Sequence, residues 1–337
     1  MPVPDERQAG AALWSMAQLA LPMAVRVAAT LRIADHLAAG HRTAAELAPL
    51  TRCDPDALER LMRYLAARGV LVAEGDGGYG LTALGEALRD DHPAAVRGWL
   101  DIEGAGRGEL AFVHLLHSVR TGEPAFPLLF GRSFWDDVND DEERSGSFHD
   151  LLGGQVPERA RALVSTGYDW GALGHVVDVG GGNGAALAEL LTAYPSLRGT
   201  VFDRPDTAET ARKALAAAGV ADRADVVTGD FFESVPAGAG GYLVFRVLHN
   251  WPDHMALRIL RACAAAAGAT GSVFVAENVG PDGASPMRGM DLRMLTLTAG
   301  KSRGVAEIGE LAARVGLAVR AVHPARQLSV VQLSAAR

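Results

Sequence analysis

A β-branched run that ends in glycines limits this chain more than any other feature. Val176-Val177-Asp178-Val179 leads directly into Gly180-Gly181-Gly182-Asn183-Gly184, and a turn of that composition has no side chains to block a ligand lying across the strand end. From His175 onward, short β-branched runs alternate with alanine- and leucine-rich helical stretches, the pattern of a parallel sheet covered on both faces. Strands are expected at 175–179, 199–202, 224–228, 241–247 and 272–278. After a helix near 305–315, the segments 317–323 and 328–333 lie too close together for a crossover helix, which predicts an antiparallel pair at the sheet edge. The fold class is α/β, a Rossmann-like sheet closed by an antiparallel C-terminal strand pair.

The first half reads differently. Apolar, alanine-rich sequence from 11 to 39 lacks strand alternation and predicts two buried helices parted at Pro22. Thr43-Ala44-Ala45-Glu46 is a capping box, and Asp54 with Pro55 starts a further helix whose Leu58, Leu61, Met62 and Leu65 share one face, with Gly69 ending it. Two short runs, 70–73 and 79–82, flank a glycine-rich turn and predict a hairpin. Helix, helix and two-stranded wing make a winged helix-turn-helix, open to two readings. Arg60, Arg63 and Arg68 could face DNA, or the module packs and dimerises with those arginines solvated. Residues 92–170 carry helical spacing with an acidic turn at 136–143. Phe126, Phe130, Phe134, Trp135 and Phe148 either line a pocket for a flat molecule or fill core. The expected division is 1–95, a mostly helical winged-helix domain; 96–170, a helical connecting layer beside the cleft; and 171–337, the Rossmann-like domain.

The chain has 337 residues and a formal net charge of -8. The acidic balance argues against a phosphate-backbone binder, because nucleic-acid affinity rests on lysine and arginine neutralising phosphates. Cys53 and Cys263 are the only cysteines and indicate neither a disulfide framework nor a cysteine metal site. A reducing cytoplasm fits. The N-terminus lacks the order of a signal peptide, and Arg26, Arg32 and Asp35 interrupt the apolar stretch 13–37, so no membrane span is expected.

The glycine turn by itself admits two cofactors. Gly180, Gly182 and Ala185 satisfy the dinucleotide fingerprint G-x-G-x-x-A, so a nicotinamide reading stays open there. Asp203, at the end of the second strand of the sheet, can accept hydrogen bonds from both ribose hydroxyls of either cofactor. Discrimination comes from Gly229-Asp230-Phe231-Phe232, where Asp230 can accept from an adenine amino group and Phe231 offers the base an apolar face. Asp230 can equally be a helix N-cap. With the antiparallel ending, the set favours S-adenosyl-L-methionine. The fourth strand ends in Phe245-Arg246-Val247-Leu248-His249-Asn250-Trp251-Pro252-Asp253, at the sheet edge where ligands approach. His249 can there take a proton from a phenol whose ordinary pKa is about 10. Glu277, ending the fifth strand, either orients that imidazole or pairs with Arg288 or Arg293.

Val-Asp-Val-Gly-Gly-Gly-Asn-Gly at 177–184, Phe-Asp-Arg-Pro at 202–205, Gly-Asp-Phe-Phe at 229–232, Val-Leu-His-Asn-Trp-Pro-Asp at 247–253 and Asp-Leu-Arg-Met-Leu at 291–295 together resemble the S-adenosylmethionine-dependent small-molecule O-methyltransferases of the plant caffeate type and the bacterial polyketide and anthracycline type. The likeness spans nearly the whole chain. It implies that the winged helix is a homodimerisation module and that Gly180, Gly182, Asp203, Asp230, Phe231 and Arg246 contact the cofactor. It further implies that His249 is the base with Glu277 as its partner, and that Asn250, Arg293 and Met294 face a small aromatic acceptor. Methyl transfer from an already activated sulfonium requires no metal. Three positions depart from the plant pattern: Asn250 for Asp, Phe245 for Lys, and Gly300-Lys301-Ser302-Arg303 for Gly-Lys-Glu-Arg, which removes a second carboxylate beside the histidine. Some anthracycline-type relatives have moved to hydroxylation or decarboxylation on the same scaffold, and the retained His249 favours O-methylation of a polyketide-like phenol.

Overall fold

The structure, a computed structural model, describes residues 6–139, 160–279, 283–284, 288–325 and 328–336. The chain divides into two compact units, Met1–Leu110 and Ala111–Arg337.

In the first unit, helices Ala20–Thr30, Ile33–Ala38, Ala44–Thr51 and Pro55–Ala67 surround a core that includes Ala28, Ile33, Leu37, Leu47, Leu58, Met62 and Leu65. The capping box forms as the sequence requires, with the Thr43 hydroxyl accepting from the Glu46 amide and the Glu46 carboxylate from the Thr43 amide. Asp54 caps its helix by accepting from the Ala57 amide at 2.9 Å. Strands β1 (Leu71–Ala73) and β2 (Tyr79–Leu81) pair antiparallel as the wing.

The N-terminal helices depart from expectation. The chain breaks at Gln18-Leu19, between Glu6–Ala17 and Ala20–Thr30, and Pro22 lies inside the first turn of the second helix, where a missing N–H costs no intrahelical bond. The first helix is not buried in this chain: Leu13, Trp14 and Met16 are all exposed. By length and composition alone, Ala9–Thr30 is apolar enough to cross a membrane. Its second half, however, enters the unit's core through Ala24, Ala28 and Ala29.

The second unit is built on seven strands: β3 (His175–Val179), β4 (Arg198–Asp203), β5 (Ala224–Thr228), β6 (Gly241–Phe245), β7 (Ser272–Glu277), β8 (Leu317–Pro324) and β9 (Ser329–Ala335), in the order β5-β4-β3-β6-β7-β9-β8. The first five are parallel, and β9 runs antiparallel to both β7 and β8. Side-chain alternation sends Val177, Val179, Tyr242, Val244, Val273 and Val275 to one core. Val176, Leu243, Phe274 and Ala276 go to the other. Strand β6 stops at Phe245, two residues short of expectation, because Arg246 turns to φ 57°, a left-handed conformation that leaves the ladder. Asp136 lies within helix Phe134–Asn139 rather than in a turn, because the Ser133 hydroxyl accepts from the Asp136 amide and starts the helix. Residues 140–143 and Phe148 lie outside the described residues.

Phe274 is fully buried and packs with tilted rings against Trp170 and Tyr168, ring centroids 4.9 Å and 5.0 Å away. Phe274→Ala is therefore expected to cost about 3–5 kcal/mol, read from the midpoint shift in urea unfolding.

Candidate functional site

Strand order reverses at β3. From there the chain adds β4 and β5 on one side and returns to add β6 and β7 on the other, so a crevice opens at the carboxyl ends of β3 and β6. Val179, Asp203, Thr228, Phe245 and Glu277 all end strands at this edge.

The glycine turn is shaped by contact on one side and open on the other. Gly180 has φ 71°, and a Cβ there would fall 2.9 Å from Val247 Cγ2 and 3.3 Å from Phe231 Cε1, so the backbone can pass only as glycine. Gly182, at φ 56°, has nothing within 4 Å of a Cβ; space there is open to a ligand. Asp203 ties the turn to β4, its Oδ2 accepting from the Gly182 amide at 2.6 Å and its Oδ1 from the Arg204 amide at 2.7 Å. A carboxylate oxygen can accept more than one hydrogen bond, so this tie does not by itself exclude the expected ribose contacts. Asp230 is no helix N-cap. Its Oδ1 accepts from the Phe232 amide at 2.8 Å in a tight turn, and the exposed side chain keeps Oδ2 for a donor such as an adenine amino group. Phe231 packs against Phe232 at 4.7 Å and Trp251 at 6.1 Å, and Trp251 stacks on Trp135 at 6.4 Å. Phe126 and Phe134 belong to the core, whereas Phe130 and Trp135 are half-buried.

His249 sits in a one-turn 3₁₀ segment, Leu248–Asn250, directly beyond β6. Its amide donates to Glu277 Oε1 at 3.2 Å and its Nδ1 lies 2.8 Å from Oε2. A carboxylate only accepts, so the partner assigns the proton to Nδ1 and leaves the Nε2 lone pair for another group. Glu277 is 5% exposed and makes this pair rather than one with Arg288 or Arg293. Asn250 turns its amide nitrogen back to the Arg246 carbonyl at 3.2 Å, closing the turn on itself. The left-handed Arg246, whose amide donates to Ala276 at 2.9 Å, has a buried Nε with no partner among the described residues. One cleft is lined by His249, Glu277, Asn278, Met290, Ser302 and Arg303. Met294 is buried and Arg293 half-buried on the helix Arg288–Thr298, which also carries Met290.

Sequence reasoning passed over Asn278, Met290 and Arg303. Asn278 directly follows Glu277 and Met290 lies one turn before Met294, so their neighbours were the available signal; Arg303 had only its place in the Gly300–Arg303 stretch. It also passed over Asp178, the acidic residue of the glycine motif. Asp178 is fully buried with neither oxygen hydrogen-bonded at normal geometry. Burial first, and then the charge of Asp203, push its carboxyl up to about 7, against a smaller lowering by the Leu187 backbone.

A Rossmann-like sheet with a reversed final strand, an open glycine turn over a ribose-type carboxylate and an aromatic wall beside a second strand-end acid defines an S-adenosylmethionine-dependent methyltransferase. Residues 14–91 match the O-methyltransferase dimerisation domain, and residues 112–318 match the O-methyltransferase domain. The chain belongs to this O-methyltransferase family. A 2,7-dihydroxy-5-methyl-1-naphthoate 7-O-methyltransferase from Streptomyces carzinostaticus is 53% identical over 98% of this chain and 99% of its own length. The aclacinomycin 10-hydroxylase RdmB of Streptomyces purpurascens is 44% identical over 94% of this chain and 86% of its own. The O-methyltransferase NcsB1 of neocarzinostatin biosynthesis, crystallised with S-adenosylmethionine and 2-hydroxy-5-methyl naphthoic acid, superposes with a TM-score of 0.90 at 53% identity over 96% of this chain and 98% of its own. Its complex with S-adenosyl-L-homocysteine and 1,4-dihydroxy-2-naphthoic acid gives 0.92 over the same shares. The cofactor is S-adenosylmethionine, which removes the nicotinamide reading, and the winged helix belongs to the dimerisation-domain family.

The raised Asp178 sets a pH dependence. The unfolded chain gives up this proton near the ordinary 3.8 while the folded chain holds it to about 7, so this group makes stability fall as pH rises between those values and has no further effect above them. Relative to the parent, Asp178→Asn is expected to gain stability progressively across that window, checked by urea unfolding at stepped pH.

Proposed function

We propose that the enzyme methylates a phenolic hydroxyl on a fused-ring aromatic acid of the hydroxynaphthoate type, with His249 as general base and Glu277 as the group that orients it. The observation that carries this reading is the 2.8 Å bond from His249 Nδ1 to Glu277, which leaves Nε2 able to receive a proton at the cleft. S-adenosylmethionine, when bound, supplies a methyl group already activated on a sulfonium. The protein's remaining work is to hold the acceptor oxygen in line and to take its proton. With the cofactor held by the glycine turn, Asp203 and Asp230, Nε2 would take the phenolic proton as the acceptor oxygen received the methyl group. Imidazolium formed in that step is stabilised by the buried Glu277 carboxylate. Support for the acceptor class comes from the naphthoate-acting relative at 53% identity, which covers this chain nearly end to end.

Gly180, Gly182, Asp203, Asp230 and Phe231 are assigned to the cofactor by their grouping at the ends of β3, β4 and β5, and Arg246 by its place beyond β6. Asn250, Arg293 and Met294 are assigned to the acceptor side, and the connecting segment 96–170 is read as the layer that lines it. The exposed Leu13, Trp14 and Met16 support a homodimer formed through the dimerisation domain, since large apolar side chains clustered on one helix call for a covering partner. The 44% identical hydroxylase shows that the scaffold can host other chemistry. The product of incubation with 1,4-dihydroxy-2-naphthoic acid distinguishes the two, because it gains a methyl group in one case and an oxygen atom in the other.

His249→Gln is expected to lower methyl transfer to 1,4-dihydroxy-2-naphthoic acid by about 10²- to 10⁴-fold with S-adenosylhomocysteine affinity unchanged by calorimetry; undiminished turnover removes the base assignment. Asp203→Ala should do the converse, weakening S-adenosylhomocysteine by roughly 10-fold or more through loss of a carboxylate acceptor.

A further inference from the structure

The turn that carries His249 has little to hold it by itself: it is a single 3₁₀ turn entered through a left-handed arginine. What lies behind it is Arg303, 3% exposed. Its Nη1 donates to the Leu248 carbonyl at 2.8 Å and to the Lys301 carbonyl at 3.1 Å. Its Nη2 donates to the Trp251 carbonyl at 2.8 Å and to Asp253 Oδ1 at 2.7 Å, and its Nε to the same Asp253 oxygen at 3.0 Å. These bonds use all five N–H donors of a guanidinium. Arg303 borders the cleft but has no donor left for a ligand, so whatever it does for the reaction it does through the turn.

Two of the three carbonyls it grips belong to Leu248 and Trp251, the residues on either side of His249-Asn250. The clamp is seated at both ends. On its own strand of chain, the Ser302 amide donates to Asp291 Oδ1 at 2.7 Å, and Lys301 pairs with Glu307 at 2.7 Å. Against the turn, a Cβ on Gly300 would fall 2.3 Å from the His249 carbonyl oxygen and 2.7 Å from the Asn250 carbonyl carbon, so the two backbones touch. Asp253, though half-exposed, is held ionised: burial would raise its carboxyl, but the bonds and charge of Arg303 outweigh it and lower the pKa overall.

We infer that Arg303 is a positioning residue for methyl transfer, fixing the Leu248–Trp251 turn so that the His249 imidazole meets both Glu277 and the acceptor oxygen. The inference rests on the reading of His249 as base. A guanidinium is suited to the task because its rigid planar fork sets the spacing of the two carbonyls, which a single ammonium cannot do.

Kinetics of Arg303→Met, Arg303→Lys, His249→Gln and the double variant Arg303→Met/His249→Gln, with S-adenosylmethionine and 1,4-dihydroxy-2-naphthoic acid, test this, with single-turnover rates from radiolabelled methyl for the slow variants. Arg303→Met is expected to lower kcat by roughly 10- to 100-fold while KM for the acceptor and Kd for S-adenosylhomocysteine stay within about threefold. Arg303→Lys should recover part of the loss. In the His249→Gln background Arg303→Met should cost less than about twofold further, since a residue acting through the base has nothing left to position. An equal loss in both backgrounds, or an unchanged kcat in Arg303→Met, overturns the inference. Full activity in His249→Gln overturns the base reading instead, and so separates the two failures. If Arg303→Met does not fold, Asp253→Asn, which loosens the guanidinium from the solvent side, takes its place in the same cycle with the same expected non-additivity.

Discussion

The pairing of β3 with β4 on one edge and β6 on the other is the constraint on which everything else depends. Two strands far apart in sequence flank the first strand of the sheet, so the helix after β3 and the turn after β6 leave the sheet in different directions and a crevice opens where they part. The glycine turn, Asp203 and the His249 turn all occupy that one edge. Backbone pairing in a sheet buried on both faces is strongly specified, because a slip of one residue would carry Asp178 or the valines beside it to the wrong core. The register therefore determines which strand-end residues can meet.

At the centre of the crevice the structure places polar groups that cost stability. Asp178 is buried without normal hydrogen bonds under the glycine turn, and Arg246 holds a left-handed conformation at the end of β6. Sites of this kind persist where the surroundings over-determine them. Here the surroundings are visible: Glu277 holds the His249 turn by a backbone and a side-chain bond, Asn250 closes it onto Arg246, and Arg303 grips it from behind. The role proposed for His249, a base that meets an acceptor oxygen at a fixed angle, needs this rigidity, since small displacements of reacting groups are costly in rate. Phe231, Trp251 and Trp135 form a continuous aromatic wall, an apolar surface suited to flat molecules.

Much of the architecture was legible because it is written in local periodicity and caps. Strand β3, the capping box at Thr43 and the Asp54 cap follow from residue chemistry within a few positions, and the antiparallel ending followed from the short spacing between its two strands. The errors have local physical causes as well. The left-handed Arg246 shortens β6, a conformation that no residue type announces when it is not glycine or asparagine. The helix break at Gln18-Leu19 was misplaced to Pro22 because proline is harmless in a first turn. The exposed Leu13, Trp14 and Met16 read as core because an apolar face has the same composition whether or not the chain itself covers it.

By itself, the sequence determined the class of cofactor cradle, the two kinds of domain and the identity of the histidine and glutamate at the strand ends, because each depends on residue type at short spacing. Tertiary structure alone decided that Glu277 meets His249 rather than Arg288 or Arg293, since this follows from the register of β6 against β7. It alone brought Arg303, far along the chain, behind the His249 turn, and it alone stripped water from Asp178. Those are consequences of which surfaces are packed together, and burial and long-range contact leave no mark on the spacing of residues in a chain.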